Sequence, residues 1–83
     1  MSENMQVTLG QMEAGQAGTI IKILGGRGLN QRLEALGIRP GKKVTKISTM
    51  LFHGPVTLRT DHTQVAVGFG MANKILVEID TPA

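Results

Sequence analysis

Apolar and polar positions alternate with period two through most of the chain, and the pattern switches to a helical period once. Met5, Val7 and Leu9 alternate with polar residues as a first strand would, behind a frayed terminus over 1–4. GQMEAGQAG (10–18) is a turn-rich connector in which Met12 can plug the core. GTIIKIL (18–24) predicts a strand with Thr19, Ile21 and Ile23 on one face and Ile20, Lys22 and Leu24 on the other. Two partly apolar faces suit a central strand, or one covered by the helix. In KKVTKIST (42–49), Val44 and Ile47 are three apart. A bulge or strong twist near Thr45-Lys46 would bring them to one face. MLFHGP (50–55) is a loop, VTLRT (56–60) a strand with Val56, Leu58 and Thr60 on one side, and Asp61-His62-Thr63-Gln64 a polar hairpin turn. Val65–Val67 is a further strand, 68–73 a turn or single helical turn, and 74–79 the last strand with Ile75, Val77 and Ile79 inward.

The helical exception lies between Gly25 and Gly41, GGRGLNQRLEALGIRPG. Leu29, Leu33 and Leu36 fall at i, i+4 and i+7 and share one face, which predicts a helix over 29–36. Asn30, Gln31, Arg32 and Glu34 make its polar side. Gly37 stands where a left-handed C-cap belongs, and Pro40-Gly41 sets a tight turn. The sum is five or six short strands with one short helix inserted early: a mainly β fold, a small antiparallel barrel.

The chain has 83 residues, enough for a single domain, 1–83. A domain of this size buries only about 60–65% of its unfolded surface, so a deep substrate cleft is hard to build. Cysteine, tryptophan and tyrosine are absent. That excludes a disulfide scaffold, a thiolate metal site and a Cys nucleophile. With no signal-peptide pattern and no long apolar run, the expected compartment is the cytoplasm. Lys and Arg outnumber Asp and Glu by nine to six, a net charge of +3 that permits weak attraction to acidic partners and selects none.

An ordered set of motifs carries a resemblance. Leu9-x-x-Met12-x-x-Gly15-x-x-Gly18 opens it, followed by Thr19-Ile20-Ile21 and Arg32-Leu33-x-x-Leu36-Gly37-Ile38-x-Pro40-Gly41. Gly54-Pro55-Val56 and Val65-Ala66-Val67-Gly68…Ala72-x-x-Ile75 complete it. With these the chain resembles the FeoA family of the bacterial ferrous iron uptake system, almost end to end. The resemblance implies an SH3-like barrel with a helical insertion, acting as an accessory to FeoB, a permease with a GTP-binding cytosolic domain. A similar barrel is a C-terminal domain of DtxR-type repressors; with the whole of this chain read as one barrel, a repressor is not the expected role. One departure is Phe69-Gly70-Met71-Ala72-Asn73, where family members often carry charge and where glycine weakens any helical turn.

Two regions are candidate partner-binding surfaces. Met50, Leu51, Phe52 and His53 put large apolar residues in a loop; they either form an exposed patch or fold back as a lid over an open barrel end. On the helix unit Arg27, Leu29, Gln31, Arg32 and Arg39 offer a charged edge suited to an acidic surface of the permease, against the commoner outcome of a merely solvated face. Gly25-Gly26-x-Gly28 follows a strand and opens a helix but lacks the third glycine of a dinucleotide fingerprint and the Gly-Lys-Ser/Thr of a P-loop, so it reads as a connector. His53, Asp61 and His62 are the only candidate metal ligands close in sequence; at opposite ends of a hairpin they would make a weak, open site for ferrous or zinc ions at best, and surface histidines are the favoured reading. Ser2 and Ser48 lack His and acid partners, and the six acids are scattered, so no catalytic constellation forms.

The expected role is therefore a non-enzymatic adaptor without a cofactor, bound to the cytosolic side of the permease and not inserted in the membrane. Homodimerisation is open, because small barrels expose strand edges. The rivals are a basic barrel binding nucleic acid, favoured slightly by Arg39, Lys42, Lys43 and Lys46 but opposed by the near absence of aromatics, and an intrinsic transition-metal binder.

Overall fold

A computed structural model describes residues 5–47, 54–61 and 63–80. Strand β1 (Gln6–Thr8) leads into a 3-10 turn (Leu9–Gln11), then β2 (Ala17–Ile23), helix α1 (Arg27–Ala35), β3 (Lys43–Lys46), β4 (Val56–Thr60), β5 (Thr63–Val67), helix α2 (Phe69–Ala72) and β6 (Ile75–Ile79). The six strands form one antiparallel sheet in the order β1-β6-β2-β3-β4-β5. The fold is mainly β, as expected.

Alternation decides which face is buried. In β4 Val56, Leu58 and Thr60 point inward, and in β6 Ile75, Val77 and Ile79 do. Inward residues from β2 to β6 join Leu9, Met12, Leu33, Ile38 and Ala72 in one cluster. A short helix and a 3-10 turn are too small to cover one face of a flat sheet of this width. Burial of this kind requires the sheet to curl around its own inner face. Each large aliphatic side chain so buried contributes about 1.5–3 kcal/mol.

The N-terminal strand is shorter than its alternation suggests. Leu9 is buried but already belongs to the 3-10 turn, while Met5 is exposed. The turn is fixed by Gln11, whose Oε1 accepts the Thr8 N–H at 2.9 Å. Met12 does plug the core.

The expected bulge exists, but in β2 rather than near Thr45-Lys46. The β2–β6 register runs Gly18↔Ile79, Thr19↔Glu78, Ile20↔Val77 and then jumps to Lys22↔Leu76, leaving Ile21 as the extra residue. The inward phase flips there, so Ile20 and Ile23 are both buried and Ile21 only half-buried. Thr19, Ile21 and Ile23 are thus not one face. Strand β3 has no such shift. Its inward positions are Val44 and Lys46, and Ile47 is half-buried beyond the strand. Gly18 is needed where β2 meets β6, because a Cβ there would lie 2.6 Å from the Glu78 carbonyl oxygen.

Lys46 is 2% exposed, and its Nζ donates to the carbonyl oxygens of Met12 at 2.5 Å and Gly10 at 3.3 Å. Burial lowers its pKa from the ordinary 10.5. The lysine stem fills the core position that the sequence pattern assigns to Ile47, and its head satisfies carbonyls of the connector.

Helix α1 runs from Arg27 to Ala35 rather than over 29–36. Gly26 caps it in an extended conformation, and Asn30 Nδ2 folds back to donate to the Gly26 carbonyl at 3.1 Å. At the exit the Ile38 N–H donates to the Leu33 carbonyl and the Gly37 N–H to the Glu34 carbonyl, both at 2.9 Å. With Gly37 at φ +87°, this is a Schellman ending. Its apolar contact joins Leu33 to Ile38, both fully buried, and Leu36 is left outside the core at 44% exposure. Leu36 is therefore not the third core leucine. The hairpin turn is also tighter than expected: only Asp61-His62 links Thr60 to its partner Thr63, and Gln64 is in β5. The segment after Gly68 closes into α2 despite Gly70, with Ala72 buried.

Candidate functional site

The exposed Leu36 lines a groove of about 660 Å³. Ala35, Leu36 and Gly37, at the end of α1, form one wall. Thr60, Asp61, Thr63, Gln64, Val65 and Ala66 of the β4–β5 hairpin form the other, with Lys42 at one end. Local sequence explains each part. The Schellman ending turns Leu33 and Ile38 inward and so leaves Leu36 outside. Period-two alternation places Thr60, Thr63 and Val65 on the inner side of the hairpin, facing the helix end.

The Arg39-Pro40-Gly41-Lys42 turn, closed by the Lys42 N–H to the Arg39 carbonyl at 3.1 Å, directs Lys42 back to the hairpin. There its Nζ meets Asp61 Oδ2 at 2.5 Å. Asp61 sits at φ +52°, a left-handed position that Asp tolerates better than most residues. The groove therefore has an apolar wall, a wall of hydroxyls, amide and backbone edge, and an ion pair at one end. Such a surface suits binding by apolar contact and hydrogen bonding.

The expected partner residues divide into three groups. Arg27, Gln31 and Arg32 are exposed on α1, and Arg39 is exposed in the following turn. Leu29 is half-buried and packs on the core. Met50, Leu51, Phe52 and His53 lie outside the described residues. Arg32 precedes Leu36 by four positions and so shares the helix stripe that leads to the groove, whereas Arg27 and Gln31 occupy a neighbouring stripe. Of the candidate metal ligands, Asp61 is held by Lys42, and His53 and His62 lie outside the described residues. Among the described residues no three His, Cys, Asp or Glu side chains gather into a metal-sized group. No helix there is long and apolar enough to cross a membrane.

The basic cluster dissolves on inspection. Among the described residues Lys42 pairs with Asp61, Lys43 pairs with Asp80 and Lys46 is buried, which leaves Arg39 as the member of the four that is exposed outside those pairs. Sequence reasoning missed Leu36, Val65 and Ala66 as surface. The signal was present in Leu33-x-x-Leu36-Gly37-Ile38: read as a Schellman motif, it assigns the core contact to Leu33 and Ile38 and releases Leu36.

Comparison with known proteins adds to this geometry. The family model described as the FeoA domain matches residues 7–79. A protein of Methanocaldococcus jannaschii described as an Fe(2+) transport protein A is 39% identical over 64 residues, covering 77% of this chain and 76% of that protein. A crystal structure of an iron uptake regulatory protein, FeoA, superposes with a TM-score of 0.86 at 29% identity, over 92% of this chain and all (100%) of that one. A manganese-dependent transcriptional repressor shares the fold at 18% identity, with a TM-score of 0.84 over 96% of this chain and 45% of the repressor.

Proposed function

The chain belongs to the FeoA domain family, and from that premise we propose that it is a non-enzymatic accessory protein of ferrous iron transport. It binds the cytosolic part of a FeoB-type GTP-binding permease and modulates uptake. The observation that supports this reading best is the groove beside Leu36. A leucine 44% exposed on a rigid helix exit, across from Val65 and Ala66, is an apolar anchor without a structural duty in the chain itself. Arg32 and Arg39 flank it and supply charge that steers encounter with an acidic surface.

An isotope-edited NMR titration with the soluble GTP-binding domain of the cognate permease tests the reading. Shifts are expected on 29–39 and on the β4–β5 hairpin, and Leu36→Asp is expected to remove them while the spectrum stays folded. A titration that leaves the groove resonances unmoved, with the membrane-embedded permease as well as with its soluble domain, overturns it.

A further inference from the structure

The outer edge of β5 pairs with no other strand among the described residues. The Thr60↔Thr63 register closes a two-residue hairpin, whose flanking pair exchanges backbone hydrogen bonds. Counting along the ladder, Thr63, Val65 and Val67 turn their backbone groups to β4, and Gln64 and Ala66 turn theirs outward. Both are exposed, and among the described residues no strand pairs with β5 on that side. The strand reads TQVAV: it has no charge, no proline and no bulge in its register, and so lacks the devices by which edges are usually protected. The other edge, β1, is only three residues long.

We propose that β5 pairs antiparallel with β5 of a second copy about a twofold axis. Full overlap of the five-residue strand about a twofold axis centres the pairing on Val65. Outward-facing residues must oppose outward-facing residues, so Gln64 lies opposite Ala66 of the second copy, and Ala66 opposite its Gln64. That gives about four backbone hydrogen bonds. Val65 then faces its own counterpart as the close, non-hydrogen-bonded pair at the axis. Val65 is half-buried on the groove wall, so Val65 of the second copy enters the groove from the side opposite Leu36. A second copy suits this edge because the edge is uncharged and complementary to itself in hydrogen bonding. The contact is small, so the dimer is weak and forms only in concentrated solution. Because it uses the groove, it excludes the proposed permease contact, although it does not depend on that reading.

The chain has no cysteine, so a single introduced thiol reports the register cleanly. In the proposed dimer the Cα atoms of position 65 are about 4.5 Å apart, within disulfide range, whereas those of position 64 are diagonal neighbours about 7–8 Å apart, beyond it. Under mild oxidation of the full chain, Val65→Cys is expected to form a covalent dimer about tenfold faster than Gln64→Cys. Ala66→Pro removes an outward N–H and leaves the β4 ladder intact. It is expected to stay monomeric in sedimentation equilibrium at concentrations where the unmodified chain associates, with an unchanged folded NMR spectrum. Equal cross-linking of the two cysteine variants, a monomeric unmodified chain at every concentration, or a dimer that persists in folded Ala66→Pro would each overturn the proposal. Done on the chain alone, the experiment leaves the permease reading untouched by its failure.

Discussion

The Lys46 ammonium donates to the Met12 carbonyl oxygen at 2.5 Å, joining β3 to a connector 34 residues earlier in the chain. Lysine is rarely so buried. Here its cost is offset by two carbonyls that would otherwise lose their partner. Lys46→Met keeps the stem and removes the donor. It is expected to lower unfolding free energy by about 1–3 kcal/mol in urea titrations near neutral pH.

The same residue has a pH signature. Burial depresses its folded-state pKa below the unfolded 10.5. In the window between the depressed value and 10.5 the unfolded chain binds more protons than the folded one, so this group's contribution raises stability as pH rises through that window. The charge is thus a burden on the folded state at lower pH, carried because the carbonyls need a donor. The alkaline gain is expected in the unmodified chain and is expected to be missing from Lys46→Met when the two pH profiles are subtracted. Parallel profiles would show that Lys46 titrates as an ordinary lysine.

Leu33 lies in α1 and Leu36 caps the helix three residues on, yet one is fully buried and the other 44% exposed. Leu33→Ala opens a cavity beneath α1 and is expected to cost about 2–5 kcal/mol. Leu36→Ala is expected to stay within about 0.5 kcal/mol of the unmodified chain. Thermal unfolding of the pair decides whether the Schellman ending, rather than the heptad-like spacing, sets the core.

Gly37 holds φ +87° so that the chain can leave α1 with Ile38 turned inward. Gly37→Ala meets no obstructing atom closer than 3.7 Å, so its penalty is backbone strain rather than collision. About 1–2 kcal/mol is expected, read as a lowered unfolding midpoint at unchanged urea dependence.

The Lys42–Asp61 pair, 2.5 Å long, has side chains 29% and 64% exposed. Solvent screens such a pair, and a Lys42→Met, Asp61→Asn double-mutant cycle is expected to give a coupling below about 1 kcal/mol, shrinking with added salt. Its use is to hold one end of the groove, so the single variants are expected to change partner affinity more than stability.

Much of this was legible in the residues. VTLRT alternates without a break and KILVEI does so apart from Leu76, and their inward sets are buried as that alternation requires. Leu33, Gly37 and the Pro40-Gly41 turn marked the helix exit. What escaped was set by partners far along the chain. The β2 bulge at Ile21 follows from how β2 meets β6, which no local window contains. Val44 and Ile47 suggested a bulge of their own because a lysine was not counted as a core residue. Lys46 can fill that place only because Gly10 and Met12 bring carbonyls to its head. The groove was missed for the same reason: one wall belongs to α1 and the other to a hairpin more than twenty positions later.

Strand β6 lies between β1 and β2 in the sheet although it is the last strand in sequence. The two N-terminal strands are therefore joined in the sheet only through β6. While the chain is being synthesised, β2–β3 and the β4–β5 hairpin can pair early, but β1 and the second side of β2 have no partner until β6 exists. Most of the core must await the final strand, and with it the slow search that distant pairings impose. A ribosome-stalled chain that ends before Ile75 would leave Ile20 and Ile23 without the strand that seals them, exposed to chaperones and to other nascent copies.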